Sequence, residues 1–306
     1  MRFFPPFNLP VPIFSLYTET VAYIDYTVYQ QLMEFSQSIM ELIKKRTSVR
    51  NYTRQPIEGQ IKNDLLEALA DAGTSPYEGK CRFEFVELKN LQSDDRKRFG
   101  TYGVIQGARY FIVSISEKTA KMREHLGFVM ERVVLKALDL GLGTCWLGGT
   151  FKRSKVAEMV KLVKNERILA ITPVGFGKGP HIIDRVIRLA IKPRKRKPWD
   201  EIFFEGDIGS PLDSKTAGKY QLPLEMVRLS PSAKNAQPWR VIKEINRDKY
   251  HFYIQSPFSV AKVDAGIATS HFDLAIKENK IAGNWNMIDP SLLEDSYNYI
   301  ITWDGT

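Results

Sequence analysis

The sequence is poor in cysteine and histidine, and this scarcity excludes several kinds of protein. Cys81 and Cys145 are the only two cysteines among 306 residues, which argues against a disulfide framework and fits a reducing compartment such as the cytoplasm. The four histidines are scattered, and no cysteine or histidine cluster has metal-ligand spacing. We therefore expect a cytoplasmic protein without a metal site, whose histidines lie on the surface or are hydrogen-bonded in the core.

The chain also lacks a long uninterrupted apolar run. Residues 3–16 are apolar, but four prolines interrupt them, and the segment is too short and too broken to span a bilayer. A single charged residue, Arg2, and the lack of a clear small-residue cleavage site make it a poor signal peptide. We expect no membrane association, and we interpret residues 1–39 as an N-terminal extension or as a stretch that precedes the true start.

Positive charge is what the chain has in excess, with a net charge of +9. A basic protein attracts anions in general, and nucleic acid is one of them. The strongest basic cluster, residues 192–197, has no repeated basic and aromatic pattern around it. We therefore favour an anionic nucleotide cofactor over nucleic acid as the partner of this charge.

Residues Pro231–Trp239, with the sequence PSAKNAQPW, are the most informative segment. Pro231 and Pro238 fix φ and remove two backbone donors, which predicts a stiff loop. Asn235 and Gln237 present carboxamides at alternate positions, and each carries a donor and an acceptor that match the polar edge of a flavin ring. Taken alone, the segment is more typical of a self-capped loop between a helix and a strand.

A second motif lies far upstream, in the segment Arg46–Arg50. If this segment is extended, Arg46, Ser48 and Arg50 point to one face, where two guanidinium groups and a hydroxyl converge on one anion. Such a string alone is more often a solvated basic loop. Together the two motifs resemble the nitroreductase family of FMN-dependent oxidoreductases, in which an R-x-S-x-R segment like Arg46–Arg50 grips the FMN phosphate and a P-S-x-x-N-x-Q-P-W loop like Pro231–Trp239 lies against the isoalloxazine ring.

The resemblance runs from about Met40 onward and includes three further segments. Gly141–Gly149 resembles the family's glycine-rich helix end, Pro173–Gly177 its penultimate strand and turn, and Arg194–Trp199 a basic segment that returns to the phosphate. The cofactor-binding residues that the resemblance implies are Arg46, Ser48, Arg50, Gly148, Gly149, Arg194, Arg196, Pro231, Ser232, Asn235 and Gln237. No catalytic side chain is implied, because the flavin carries the chemistry.

An internal repeat explains why the Pro231–Trp239 segment, called the ring-binding loop below, lies further along the chain than the matching loop of ordinary family members. Residues 66–83 align without gaps with residues 224–241, at an offset of 158 given by 224 − 66. In the first copy Tyr77 occupies the place of Asn235, and the second copy has no R-x-S-x-R segment. The chain therefore resembles a fused homodimer, in which two related halves form an intrachain pseudo-dimer.

This interpretation divides the chain into four parts. They are residues 1–39, a first half at 40–205, a linker at 206–220, and a second half at 221–306. The first half contains the Arg46–Arg50 segment, called the phosphate cradle below, and the second half contains the ring-binding loop. In ordinary members the FMN sites lie at the subunit interface, so fusion and decay of one loop leave one complete site. We expect a monomer that binds one FMN.

The resemblance implies an FMN-dependent NAD(P)H oxidoreductase with a ping-pong cycle. NADH or NADPH would deliver hydride to flavin N5, and a small-molecule acceptor such as a nitroaromatic or a quinone would then be reduced. Two alternatives stay open: an FMN-binding protein without reductase turnover, such as a sensor or carrier, and a non-reductase flavin enzyme of the same fold.

Local patterns predict an α+β fold, with a mixed sheet flanked by helices in each half. The predicted helices are residues 61–72, Glu124–Leu140, Leu222–Leu229 and Ala265–Lys280, and the predicted strands are Phe83–Leu88, Arg109–Ile115, Arg240–Ile245, Tyr250–Gln255 and Tyr297–Trp303. Gly73 and Gly141 are expected to end the first two helices.

Overall fold

Two β-sheets and the helices packed on them make up the part of the chain that the computed structural model describes, which is residues 33–72, 74–88, 104–149, 151–179, 195–290 and 296–306. The first elements are α1 (Ile39–Lys45), α2 (Gly59–Asp71), β1 (Cys81–Glu87), β2 (Tyr110–Glu117), α3 (Met122–Asp139), β3 (Gly143–Thr144), α4 (Arg153–Met159) and β4 (Glu166–Gly175). The later elements are β5 (Phe203–Glu205), α5 (Gln221–Leu229), β6 (Trp239–Lys243), β7 (Lys249–Ile254), α6 (Val260–Glu278), β8 (Gly283–Asn286) and β9 (Asn298–Gly305). The predicted α+β fold is confirmed.

The two sheets have the same topology. The first has the strand order β1-β2-β4-β3, and its neighbours are all antiparallel. The second has the order β5-β6-β7-β9-β8, and its last four strands repeat the antiparallel arrangement of the first sheet. Its extra strand, β5, pairs in parallel with β6. The repeated topology supports a duplicated chain, and β5, at the end of the predicted first half, completes the sheet of the second.

Helices α3 and α6 are the central helices of the two halves, and both are buried along most of their length. This burial confirms the prediction for α3, in which apolar residues nearly surround the helix axis. Helix α3 ends at Gly141, whose φ of 78° lies in the left-handed region that glycine adopts at little steric cost. The backbone N–H of Gly141 donates to Leu138 O at 2.9 Å, which confirms the predicted helix end.

Paired glycines let α3 and α6 approach each other closely. A Cβ added to Gly127 would lie 2.1 Å from the carbonyl oxygen of Val263, and one added to Gly266 would lie 2.1 Å from that of Glu124. The two contacts exchange under a shift of 139 residues, since 266 − 127 and 263 − 124 give the same number. This reciprocal pattern is that of a two-fold interface, in which the same surface of each partner meets the other.

An aromatic core fills the space between the second sheet and α6. Phe272 is fully buried on α6, and the ring of Phe252 lies edge-on to it at a centroid distance of 5.3 Å. Trp285 and Trp303 also pack edge-on against Phe272, at 5.7 Å and 5.9 Å. Offset and edge-on ring pairs of this kind add stability beyond their buried area. This core holds the sheet that carries the Pro231–Trp239 loop.

The remaining elements show where local patterns suffice. The nine predicted helices and strands all occur, with ends that differ from the predicted ones by up to five residues. Helices α1 and α4 and strands β3, β5 and β8 were not predicted, because segments of two to seven residues show too little periodicity. Of β4, only its end was expected, from the resemblance of Pro173–Gly177 to a strand and turn. The predicted cap Gly73 lies outside the described residues. The four-part domain division stays a prediction.

Candidate functional site

The Arg46–Arg50 segment is extended, as the phosphate-cradle hypothesis requires. The backbone N–H of Val49 donates to Thr144 O at 2.8 Å, and Arg50 O accepts a hydrogen bond from Gln106 N at 2.8 Å. Gly143 allows this close docking, because a Cβ there would lie 2.6 Å from a methyl group of Val49. The segment is therefore added at the edge of the first sheet, where it is held by backbone bonds to Thr144 of β3 and to Gln106, which precedes β2.

Helix α1 positions the cradle, and it is anchored by the other half of the chain. The backbone N–H groups of Ile39 and Met40 donate to the two carboxylate oxygens of Glu278, at 3.0 Å and 3.3 Å. A carboxylate is favourable there, because the first N–H groups of a helix lack intrahelical partners and carry partial positive charge. Glu278 is the last residue of α6, so the second half fixes the helix that leads directly into Arg46.

Arg196 connects the cradle with the ring-binding loop. Its guanidinium donates to Asn235 Oδ1 at 2.6 Å and to Leu229 O at 2.8 Å. Burial, together with repulsion from Arg46 and Arg228, lowers the pKa of Arg196 to about 10, against the opposing attraction of Glu225. Tertiary structure thus brings three arginines and an amide together, although 150 residues (196 − 46) separate the first two arginines.

Arg46 also reaches a buried network that joins the two central helices. Its Nε lies 3.8 Å from Glu131 Oε1, and this nitrogen makes no hydrogen bond to the described residues. Glu131 is fully buried, where it accepts from Trp146 Nε1 at 2.7 Å and lies 3.0 Å from His271 Nε2. His271 Nδ1 in turn lies 2.9 Å from Ser230 Oγ, directly before the ring-binding loop. The network links the cradle to that loop.

The Pro231–Trp239 loop contains one short 3-10 turn at Ala233–Asn235. Asn235 and Gln237 have φ values of 57° and 49°, and the backbone N–H of Gln237 donates to Ser232 Oγ at 2.9 Å. The Gln237 side chain is buried and bonded to protein groups, with its Oε1 accepting from Lys197 N at 2.8 Å. A ring contact by Gln237 stays a prediction, and it would compete with these bonds.

The remaining predicted site residues lie around this centre. Ser48 forms a parallel bridge with Thr144, so it lies within the docked part of the cradle. Gly148 and Gly149 are exposed, and an added Cβ at either would meet no atom within 4 Å. That open space is compatible with close approach of a ligand to the backbone. Arg194 lies outside the described residues.

Asp264, on α6, anchors the ring-binding loop through a hydrogen bond. Its Oδ1 accepts a hydrogen bond from Ala233 N at 3.0 Å, and the residue is only 4% exposed. Burial raises the pKa of Asp264 from 3.8 to about 7, and the bond from Ala233 opposes that shift. The carboxyl is therefore protonated in the folded protein over a pH range in which it is ionised in the unfolded chain.

This shift gives a pH-dependent prediction for Asp264→Asn. Between pH 3.8 and about 7 the folded state binds a proton that the unfolded state has lost, so the free energy of unfolding falls as pH rises through this window. The slope is at most roughly 1.4 kcal/mol per pH unit. Asparagine keeps the acceptor and removes the titration, so the stability of the variant relative to the wild type should rise across the window. Urea denaturation at several pH values, with the exposed Asp71→Asn as control, measures it; equal profiles for both variants would contradict it.

The first copy of the loop takes a different course. Tyr77, at the place of Asn235, is 3% exposed, and its hydroxyl lies 2.8 Å from Thr269 Oγ1 on α6. Its ring packs edge-on against Phe128 of α3. Ser75, at the place of Ala233, bonds His125 at 2.7 Å, so each loop copy contacts the start of its own central helix. A buried tyrosine at this position supports the decay of the second site.

Sequence reasoning missed Arg228, Glu131, His271 and Asp264 as parts of the site. Glu131 interrupts the apolar pattern of a buried helix, and that interruption was the signal that could have identified it. Arg228 looks like an ordinary helical ion-pair residue, since it bonds Glu225 three positions earlier. The interpretation of the histidines is confirmed for His251 and His271, which are buried and hydrogen-bonded. His125 is buried and its Nδ1 bonds Ser75, but its Nε2 has no hydrogen bond to the described residues. His181 lies outside the described residues.

Two features of other protein classes are absent from the described residues. No helix there has both the length and the apolar character needed to cross a bilayer. Within the same residues, no three or more histidine, cysteine, aspartate or glutamate side chains are grouped so that they could hold a metal ion.

Comparison with known proteins places these features in a wider context. A family profile described as "Putative TM nitroreductase" matches residues 38–276. The crystal structure of a "putative nitroreductase" from Thermotoga maritima MSB8 superimposes with a TM-score of 0.55 at 20% identity, over 88% of this chain and 94% of that one. This likeness confirms the nitroreductase fold.

Shorter structures resemble part of the chain. A nitroreductase family protein from Clostridium novyi NT is 24% identical and covers 49% of this chain and 91% of its own, with a TM-score of 0.40. A protein from Desulfovibrio desulfuricans, solved in complex with FMN, is 20% identical and covers 47% of this chain and 88% of its own, with a TM-score of 0.39.

Proposed function

Because the chain belongs to the nitroreductase family whose profile spans residues 38–276, we propose that it is an FMN-dependent NAD(P)H oxidoreductase acting on a small-molecule acceptor. The observation that carries this proposal is that the ring-binding loop and the cradle share one charged site: Arg196 bonds Asn235 and is repelled by Arg46, and Arg46 is linked through Glu131 and His271 to Ser230. Bound FMN would accept a hydride from NADH or NADPH and pass it to a nitroaromatic, a quinone or a similar acceptor. The chain's own residues bind and orient this group.

The cationic cluster fits a phosphate group. Arg46, Arg196 and Arg228 are close enough for mutual repulsion, and burial deprives Arg196 of water that would screen it. Arg46 Nε is buried without a hydrogen bond to the described residues, and its ion pair with Glu131 is long. A bound phosphate would relieve the repulsion and supply the missing acceptor, since arginine binds phosphate through several parallel N–H bonds.

The repeated topology and the reciprocal glycine contact support a single-chain pseudo-dimer. The cradle comes from the first half and the ring-binding loop from the second, while the first loop copy carries buried Tyr77. We therefore propose a monomeric, cytoplasmic protein with one composite site. The flavin content of the purified protein, measured from its visible absorption, should approach one FMN per chain; a ratio near two would contradict the single site.

Substitution of Arg50 tests the cradle directly. Losing one charge-assisted contact to a buried phosphate costs about 1.5 to 3 kcal/mol, so Arg50→Ala should weaken FMN binding by about tenfold to about 150-fold. The exposed Arg54→Ala, four residues further along, is the matched control and should bind FMN like the wild type. Titration of apoprotein with FMN gives both dissociation constants. Equal affinity in Arg50→Ala and Arg54→Ala would refute the cradle.

Turnover separates a reductase from a protein that only binds flavin. The FMN-loaded protein should oxidise NADH or NADPH in the presence of menadione or a nitroaromatic. No oxidation of NADH or NADPH with either acceptor, in a protein that retains FMN, would favour the flavin-carrier alternative.

A further inference from the structure

The two carboxamides of the ring-binding loop are bonded to the basic segment that contains Arg196. Gln237 Oε1 accepts from Lys197 N at 2.8 Å, and Gln237 Nε2 donates to Lys195 O at 3.3 Å. Asn235 Nδ2 donates to the same Lys195 oxygen at 2.8 Å. The backbone is therefore held on both sides of Arg196 by side chains of the loop.

Gln237 has little capacity left for another ligand. Its side-chain nitrogen also donates to Asn235 O at 3.2 Å, so both amide hydrogens and one lone pair of Oε1 are used. The residue is 4% exposed, which places these bonds away from water. Buried polar groups that lose their partners cost about 1 to 3 kcal/mol each, so the arrangement resists exchange for a ring contact.

Arg196 needs such support because its surroundings oppose its charge. It lies near Arg46 and Arg228, and burial adds to their repulsion. The hydrogen bonds that its guanidinium donates to Asn235 Oδ1 and Leu229 O orient the side chain. They do not fix the backbone of Arg196. The Gln237 bonds to residues 195 and 197 provide that second constraint.

We propose that Gln237 is a positioning residue that holds the backbone of Lys195–Lys197, so that Arg196 faces the anionic end of the flavin nucleotide. This role rests on the proposed function and assigns Gln237 to the phosphate, where the sequence pattern suggests the ring. Gln237 acts through Arg196 and does not itself contact the ligand.

The proposal is tested by binding two ligands that share a ring and differ in the phosphate. Apoprotein is titrated with FMN and with riboflavin, for the wild type, Gln237→Met and Gln237→Glu. Methionine has a similar length but makes none of the bonds, so FMN binding should weaken by about tenfold while riboflavin binding changes by less than about twofold. Glutamate keeps the acceptor for Lys197 N and should recover part of the FMN affinity. An equal loss for both ligands would show ring recognition and overturn the proposal.

A second comparison asks whether the effect passes through Arg196. If it does, Arg196→Ala and the double variant Arg196→Ala, Gln237→Met should bind FMN with the same affinity, because coupled residues are not additive. Additive losses would contradict the proposed route. Gln255→Met, in an exposed glutamine beyond β7, is the matched control and should bind both ligands normally.

The same titrations keep the two levels of inference apart. Wild-type protein that binds neither FMN nor riboflavin would overturn the proposed function together with this role. Wild-type protein that binds FMN, with variants that lose both ligands equally, would overturn only the role of Gln237. If Gln237→Met does not unfold cooperatively in urea, the comparison is made with Gln237→Glu, which must weaken FMN more than riboflavin.

Discussion

Gly266→Ala is expected to lower the free energy of unfolding by about 3 kcal/mol or more. The added Cβ would lie 2.1 Å from the carbonyl oxygen of Glu124, and the obstacle is backbone of a buried helix, which cannot rotate away. The helices α3 and α6 would have to separate, and their packed side chains would lose contact along the crossing. Chemical denaturation, followed by circular dichroism, measures the loss.

Gly127→Ala should have a similar effect, because its Cβ meets Val263 O at the same distance. Both substitutions force the same two helices apart, so the double variant should lose less than the sum of the single losses. Gly148→Ala is the control for stability, since its Cβ would meet nothing within 4 Å. If Gly127→Ala and Gly266→Ala were as stable as Gly148→Ala, the close helix crossing would be wrong.

Removal of the Asp273 carboxylate is expected to be equally damaging, at about 3 to 5 kcal/mol for Asp273→Ala. Asp273 on α6 pairs with Arg132 on α3, and both side chains are buried. Lys277 Nζ lies 2.8 Å from Asp273 Oδ2, and Trp285 Nε1 donates to Oδ1 at 2.9 Å. Burial alone would raise the pKa of Asp273, but Arg132, Lys277 and Trp285 outweigh it and hold the pKa below its usual value.

The loss arises mainly from the partner left behind. Burial already lowers the pKa of Arg132, and without Asp273 its guanidinium would remain charged and unpaired between the two central helices. Replacing both partners by apolar residues, as in Arg132→Met with Asp273→Leu, should therefore recover much of the stability. Urea denaturation of the single and double variants tests this.

The exposed pair of Lys155 and Glu158 provides the comparison. Glu158→Ala should change the stability far less than Asp273→Ala, because an exposed ion pair is screened by water. A depressed pKa also means that the stabilisation from Asp273 is present above the pKa of the unfolded chain and is lost as pH falls through the folded value. Equal losses of unfolding free energy in Glu158→Ala and Asp273→Ala would contradict a buried, coupled pair of Asp273 and Arg132.

Much of the fold could be predicted from local sequence patterns. The buried helix at Met122–Asp139, its end at Gly141 and the strands on either side follow from apolar spacing and from glycine conformation, which are properties of neighbouring residues. The repeat at offset 158 anticipated two sheets of like topology. Short elements such as β3 and β5 exist only because a partner strand is present, so no local pattern could reveal them.

The candidate site also combines features that the sequence predicts with features that only the tertiary structure decides. The residue types at Arg46–Arg50 and Pro231–Trp239 led to the proposed chemistry, because guanidinium groups bind phosphate and carboxamides offer a donor with an acceptor wherever they lie. Which partner each group meets depends on chain segments far apart in sequence. The tertiary structure brought Arg196 to Arg46, placed Glu131 beneath it, and bonded Gln237 to Lys195 and Lys197. The sequence by itself determined the parts of the candidate site, and only the tertiary structure decided their partners, since an amide or a guanidinium bonds whatever burial places beside it.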